Sequence, residues 1–224
     1  MTNHICLQAF VEVPSSSVLF VEGGLGSRHQ AREPISVAAA RVVVALARAR
    51  ETNPSLYALA YFCSEHSNWR QPLGTALDLI ITLLLQLINQ HRHFDATLLH
   101  DCRDMVLDRP LEPSADDVRS FCDRLRHCVL ALPKEVALFC IIEGTAYFEG
   151  PRKRTEHTLL ILEWMLELGK ETEEGRAWVK CLFTTPAKSP QFIGLFEPYD
   201  VHTIQSVNST GVFRKKSWFI GREL

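Results

Sequence analysis

The sequence predicts a three-layer α/β fold around a mainly parallel, five-stranded sheet, and three observations carry that prediction. Short apolar runs alternate with longer amphipathic segments along the whole chain, the pattern of strands joined by crossover helices. The run Val136–Ile142 is apolar without a break and rich in branched and aromatic residues, which suits a strand covered on both faces. The segment from Val37 to Ala47 is apolar almost all round a helix, and such a helix belongs in the middle of a domain.

In order, Val18–Val21 reads as the first strand and runs into the turn Glu22-Gly23-Gly24-Leu25-Gly26-Ser27. Pro34-Ile35-Ser36 then opens a helix that continues to about Arg50 and is closed by Asn53-Pro54. Leu56–Cys63 is the second strand and residues 64–71 a polar loop. The next helix runs from about Pro72 to Gln90. Gln71, Thr75, Asp78, Thr82, Gln86 and Asn89 share a narrow polar arc on it, with apolar residues elsewhere, so it should pack on the sheet and under a neighbour. A shorter helix covers Phe94–Val106. Ser114 and Asp117 form a variant capping box, with Asp in place of Glu, ahead of a helix whose inward face is Val118, Phe121, Cys122, Leu125, Cys128 and Val129. The central strand ends in Glu143-Gly144, at the edge where open parallel sheets place their chemistry. After the basic loop Pro151–Arg154, a helix starts near Thr155. Trp178–Thr184 is the fourth strand and Tyr199–Ile204 the fifth. The expected layout is an extension over residues 1–15, one α/β domain over 16–206 and a tail over 207–224.

Composition excludes several classes. The chain has 224 residues, 22% of them charged, and a net charge of −2, so no bulk field favours nucleic acid or a membrane. Seven cysteines without a CxxC pair, mostly inside apolar runs, indicate reduced thiols in a cytoplasmic protein. The longest apolar stretch, Ala76–Ile88, is broken by Asp78, Thr82 and Gln86, too short and too polar to span a bilayer.

The glycine turn invites a phosphate-binding reading, which needs G-x-x-x-x-G-K-[ST] so that backbone N–H groups wrap the phosphates while Lys and a hydroxyl hold charge and metal. Counted from Gly23, the last three positions hold Arg28, His29 and Gln30. From Gly24 they hold His29, Gln30 and Ala31, and from Gly26 Ala31, Arg32 and Glu33. No register from these glycines works. The dinucleotide code G-x-G-x-x-G starts at Gly24 and Gly26 but fails at His29.

Several pieces nevertheless stand in a familiar order: Pro34-Ile35-Ser36, Tyr61-Phe62-Cys63 with His66, the helix end Leu84-Leu85-Gln86-Leu87, Phe139–Gly144 with Tyr147-Phe148-Glu149, and Lys180–Pro186. Over about Val18–Ile204 the chain resembles fungal proteins related to NACHT-type signalling NTPases of the STAND class, with their nephrocystin-like N-terminal module. The resemblance implies a P-loop NTPase-like fold, with Glu143 where the family has its metal-binding Asp and Thr184-Thr185 at the sensor strand end. It leaves Ala146 and Tyr147 where hydrolytic members carry further acids, and the chain ends ahead of the helical and repeat regions such proteins use.

Micromolar nucleotide affinity corresponds to about −8 kcal/mol. Losing two or three charge-assisted hydrogen bonds, at roughly 1.5–3 kcal/mol each, leaves millimolar binding or none. The expectation is therefore a non-catalytic remnant that binds other proteins, with Gly23, Gly24, Gly26, Arg28, Glu143 and Thr184 as a vestigial ATP/Mg site and no required cofactor or metal. Rival expectations are a switch that still holds ATP or GDP, and a small-molecule enzyme whose pocket would gather His29, Glu143 and Thr185.

Three other clusters are set aside. His91, His93, His100 and Cys102 lack a second ligand pair for metal. Cys63 beside Glu65 and His66 reads as a packed strand-end thiol, since nothing orients the histidine. Arg152-Lys153-Arg154 and Arg214-Lys215-Lys216 read as solvated loop, without aromatics spaced for nucleic acid.

Overall fold

The structure, a computed structural model, describes residues 5–23, 28–68, 74–171, 176–186, 189–196, 201–207 and 213–214. Its strands are β1 (Ser17–Gly23), β2 (Leu56–Phe62), β3 (Ala137–Glu143), β4 (Trp178–Thr185), β5 (Val201–Val207) and β6 (Phe213–Arg214). Its helices are α1 (Ile5–Glu12), α2 (Arg28–Thr52), α3 (Ala76–Gln90), α4 (Ala96–Leu107), α5 (Ala115–Leu130), α6 (Arg152–Glu171) and α7 (Pro190–Ile193).

The strand order is β2-β3-β4-β1-β5-β6. The parallel body of the sheet is four strands, β2-β3-β4-β1, paired along their lengths. This corrects the expectation of a five-stranded sheet. β5 joins β1 in parallel only over Phe20–Gly23, and β6 adds an antiparallel edge to β5. Central placement of β3 explains its unbroken apolar run. Leu138, Ile141 and Ile142 have no exposure because strands flank them and helices cover both faces.

The larger core lies between the sheet and α3, α5 and α6, and gathers Leu59, Leu83, Leu125, Leu138, Ile161 and Phe183. The opposite face is thinner: α1 and α2 cover Leu19, Phe139, Ile141 and Leu182 through Phe10, Ala39 and Leu46. Here α2 departs from expectation twice. It begins at Arg28, so Pro34 falls inside it, and it is a surface helix, with Val37 and Val44 47% and 49% exposed. Among the described residues no other element lies over its outer face, because the remaining long helices pack on the far face of the sheet.

The polar arc of α3 also has a different purpose from the solvent face it suggests. β2 is the edge of the sheet, and its outward backbone groups need partners. Gln86 supplies both for Ala60: its Oε1 accepts from the N–H at 2.8 Å and its Nε2 donates to the carbonyl at 2.8 Å. One turn on, Gln90 does the same for Ala58, at 3.1 and 2.7 Å. Two side-chain amides thus stand in for a neighbouring strand. Both capping boxes form, Thr75 with Asp78 on α3 and Ser114 with Asp117 on α5.

Residues 5–12, within the expected extension, form α1, which Lys180 fastens to the sheet. From the middle of β4 its Nζ donates to the carbonyls of Phe10 and Val13, both at 2.7 Å, and to Ser17 Oγ at 3.3 Å. The ammonium thus caps the C-terminal end of α1. Lys180 is 2% exposed, and burial lowers its pKa from 10.5 to about 8. Between pH 8 and 10.5 the unfolded chain then binds more protons than the folded one, so this group's contribution to stability rises with pH. Relative to Lys180→Met, the natural chain should gain on the order of 1 kcal/mol per pH unit across that window. Urea unfolding of both proteins at pH 7 and 10 checks it, and parallel pH profiles would refute it.

Candidate functional site

Parallel register brings the carboxyl ends of four strands to one edge, with Phe62 opposite Glu143, Ile142 opposite Phe183 and Val21 opposite Thr184. Two of the residues singled out in the sequence, Glu143 and Thr184, meet there. The Gly144 N–H donates to Thr184 Oγ1 at 3.3 Å, and Thr145 Oγ1 donates to the Thr184 carbonyl at 3.4 Å. Gly144 takes φ +71°, turning β3 into the 3-10 segment Thr145–Phe148; a Cβ there would lie 2.9 Å from the Tyr147 ring.

Glu143 has no solvent exposure. Its carboxylate accepts a short hydrogen bond from the Ser36 hydroxyl and a long one, 3.4 Å, from the Ser64 N–H. Ser36 comes from α2, more than a hundred residues earlier, and in the sequence it marks only a helix start. Its position opposite Glu143 supplies a register that counting from the glycines does not. With Ser36 in the hydroxyl place of the phosphate-loop pattern, His29 and Pro34 occupy the two glycine places and Ile35 the lysine place. Counting backwards from the hydroxyl residue would have found this.

The geometry agrees with those substitutions. The backbone is helical from Arg28, so amides that a phosphate loop would turn towards a ligand lie instead in a helix. The Ile35 side chain is buried beside Gly23: a Cβ on Gly23 would lie 2.8 Å from Ile35 Cδ1 and 2.3 Å from the Pro186 carbonyl oxygen. An apolar plug thus stands at the end of β1. Gly24 and Gly26 lie outside the described residues, as do the side chains of Arg28 and His29. Thr185 is fully buried. On the far side of β1, Glu22 accepts from the Ser189 N–H at 3.3 Å, and the Ser189 hydroxyl makes a short bond to Glu149. The polar groups of this edge are bonded largely to one another.

No protein-family model matches the sequence, and no curated protein matches it. Similarity to solved structures is found. The ORC2 protein of Aeropyrum pernix, solved with ADPNP and ADP, aligns with a TM-score of 0.43 and 16% identity over 86% of this chain. The chain spans 43% of that protein's length.

The other sequence candidates separate clearly. Burial, and next the Glu143 carboxylate, hold the Cys63 thiol well above its ordinary pKa, the reverse of an activated nucleophile. His66 stacks on Tyr61, with ring centroids 4.9 Å apart. His91 bonds Tyr57 at 3.0 Å, His100 pairs with Asp104 at 3.0 Å, and Cys102 lies against Cys128 at 3.8 Å. Among the described residues, no three His, Cys, Asp or Glu side chains gather as a metal site. No helix among them is long and apolar enough to cross a membrane.

Arg154 corrects the solvated-loop reading of its cluster. Arg152 begins α6 and is exposed, but Arg154 is 8% exposed. Its guanidinium donates to the carbonyls of Ser67 (3.1 Å), Gly74 (3.3 Å), Tyr147 (2.6 Å) and Gly150 (2.7 Å from one nitrogen, 3.1 Å from another). It also lies 4.7 Å from the centre of the Phe148 ring. Burial lowers its pKa, and backbone carbonyls rather than an acid receive its hydrogen bonds. The cation is a clamp that fixes the segment after β3 against the start of α3.

Proposed function

We propose that this chain is a non-catalytic relative of NACHT/STAND-type NTPases, a P-loop NTPase-like scaffold that acts by binding other proteins. One observation carries the reading. The hydroxyl and acid that would share a magnesium ion are bonded directly to each other, while Ile35 fills the place of the phosphate-gripping ammonium. The order of the parallel strands, with β3 inside the sheet and its acidic end facing α2, supports the scaffold. The resemblance noted in the sequence supplies the signalling class.

A second reading rests on the same pair. Ser36 and Glu143 still face each other, so a switch that binds ATP or GDP without hydrolysing it would need only a cation from elsewhere. Titration with fluorescently labelled ATP and magnesium, together with a phosphate-release assay, separates the two. The proposed function predicts no turnover and no saturation below about 100 μM, equivalent to roughly −5.5 kcal/mol. Saturation below that level, abolished by Glu143→Ala, would replace it with the switch.

A further inference from the structure

The sequence of α2 asks for burial that the described residues provide on one side only. Its inward face, Ile35, Ala39 and Leu46, packs on the sheet. At 100° per residue the opposite pole is Val37, Arg41, Val44 and Arg48, and all four are exposed. Alanines flank this pole, so another helix could approach closely. β-branched residues at exposed helical positions lower helix propensity without a packing return in this chain. An open depression runs along the same stripe, lined by Val37, Ala40, Arg41, Val44, Ala45 and Arg48.

We infer that the outer face of α2 docks an acidic amphipathic helix of a partner protein. This rests on the protein-binding reading above and names the partner's chemistry. Valines seven residues apart, each followed four residues later by an arginine, form a heptad seam with a charged border. Arg41 and Arg48 make no ion pair with a described acid. A helix with apolar residues on its seam and Asp or Glu seven apart on its border would cover the valines and meet both guanidinium groups. A second copy of α2 complements the stripe less well, because Glu51 is the one acid on that pole among the described residues.

The test selects the full chain against a displayed library of helical heptad peptides, with leucine on the seam and Glu, Lys or Gln on the border. Acidic borders should be enriched. The leading peptide should bind with micromolar affinity by fluorescence anisotropy, and Arg41→Glu/Arg48→Glu should weaken it about tenfold or more. A lysine-bordered peptide should bind that variant and not the natural chain. Val44→Asp should weaken binding as well, and unchanged thermal melts will show that these surface variants fold. Enrichment indifferent to charge, or equal binding by the double variant, would overturn the inference. So would a concentration-dependent dimer that Val44→Asp dissolves, or arginine-dependent binding to phosphatidylserine vesicles. Labelled ATP with magnesium is titrated on the same samples. Nucleotide binding with peptide capture intact would strike the nucleotide-free scaffold reading alone, whereas loss of capture without nucleotide binding would strike this inference alone.

Discussion

Replacing Gln86 and Gln90 together by leucine will destabilise the fold by about 3–5 kcal/mol and make it self-associate. Four hydrogen bonds between these amides and the backbone of Ala58 and Ala60 disappear in that variant. Each net bond contributes about 1 kcal/mol, and the N–H and C=O groups left beside apolar leucines lose more. The added leucine surface offsets part of the loss, since Gln86 and Gln90 are only partly buried. The stripped edge then offers pairing groups to another β2, so light scattering should report larger species for the variant than for the natural chain. Gln86→Glu is the informative control. A carboxylate accepts from the Ala60 N–H but cannot donate to its carbonyl, so roughly half the effect of Gln86→Leu is expected by urea unfolding. Equal stability of the natural chain and all three variants would mean the amide pairs contribute nothing.

Arg154→Met carries the second large effect, again about 3–5 kcal/mol. Methionine preserves the apolar stem over Phe148 but leaves the carbonyls of Ser67, Gly74, Tyr147 and Gly150 without their donor. Arg154→Lys keeps the charge, yet a single ammonium cannot reach four carbonyls that a planar fork reaches together, so it should recover less than half the loss. Denaturant midpoints for the three proteins decide the matter. A lysine variant as stable as the natural chain would show that charge alone holds the segment.

The same two features show what was legible in the sequence. Periodicity located every strand of the parallel body to within a residue or two, because apolar runs such as Val136–Ile142 are set by burial on both faces. It could not assign direction to a polar group. Gln86 sits on the polar arc of α3 whether that arc faces water or an unpaired strand, and Arg154 reads as solvated loop because carbonyl partners leave no mark in the sequence. The Val37–Ala47 stretch of α2 was legible as a helix that needs covering, but not that among the described residues only its inner face is covered.

At the candidate site, Glu143-Gly144 was legible because an acid and a glycine close an apolar strand. Ser36 was not, because Gly23, Gly24 and Gly26 carry the visible glycine pattern and the hydroxyl stands outside every register counted from them. Its role depends on a contact across more than a hundred residues that only the fold supplies.

The central claim is that the polar groups at the sheet's carboxyl edge are engaged with one another and not with a nucleotide. Urea unfolding with and without about 5 mM magnesium-ATP tests it most directly, since a ligand stabilises the folded state by RT ln(1 + [L]/Kd). The account predicts a gain of no more than about 1 kcal/mol, the value for millimolar affinity or weaker. A gain of about 4 kcal/mol, equivalent to a Kd near 10 μM and lost in Ser36→Ala, would contradict it.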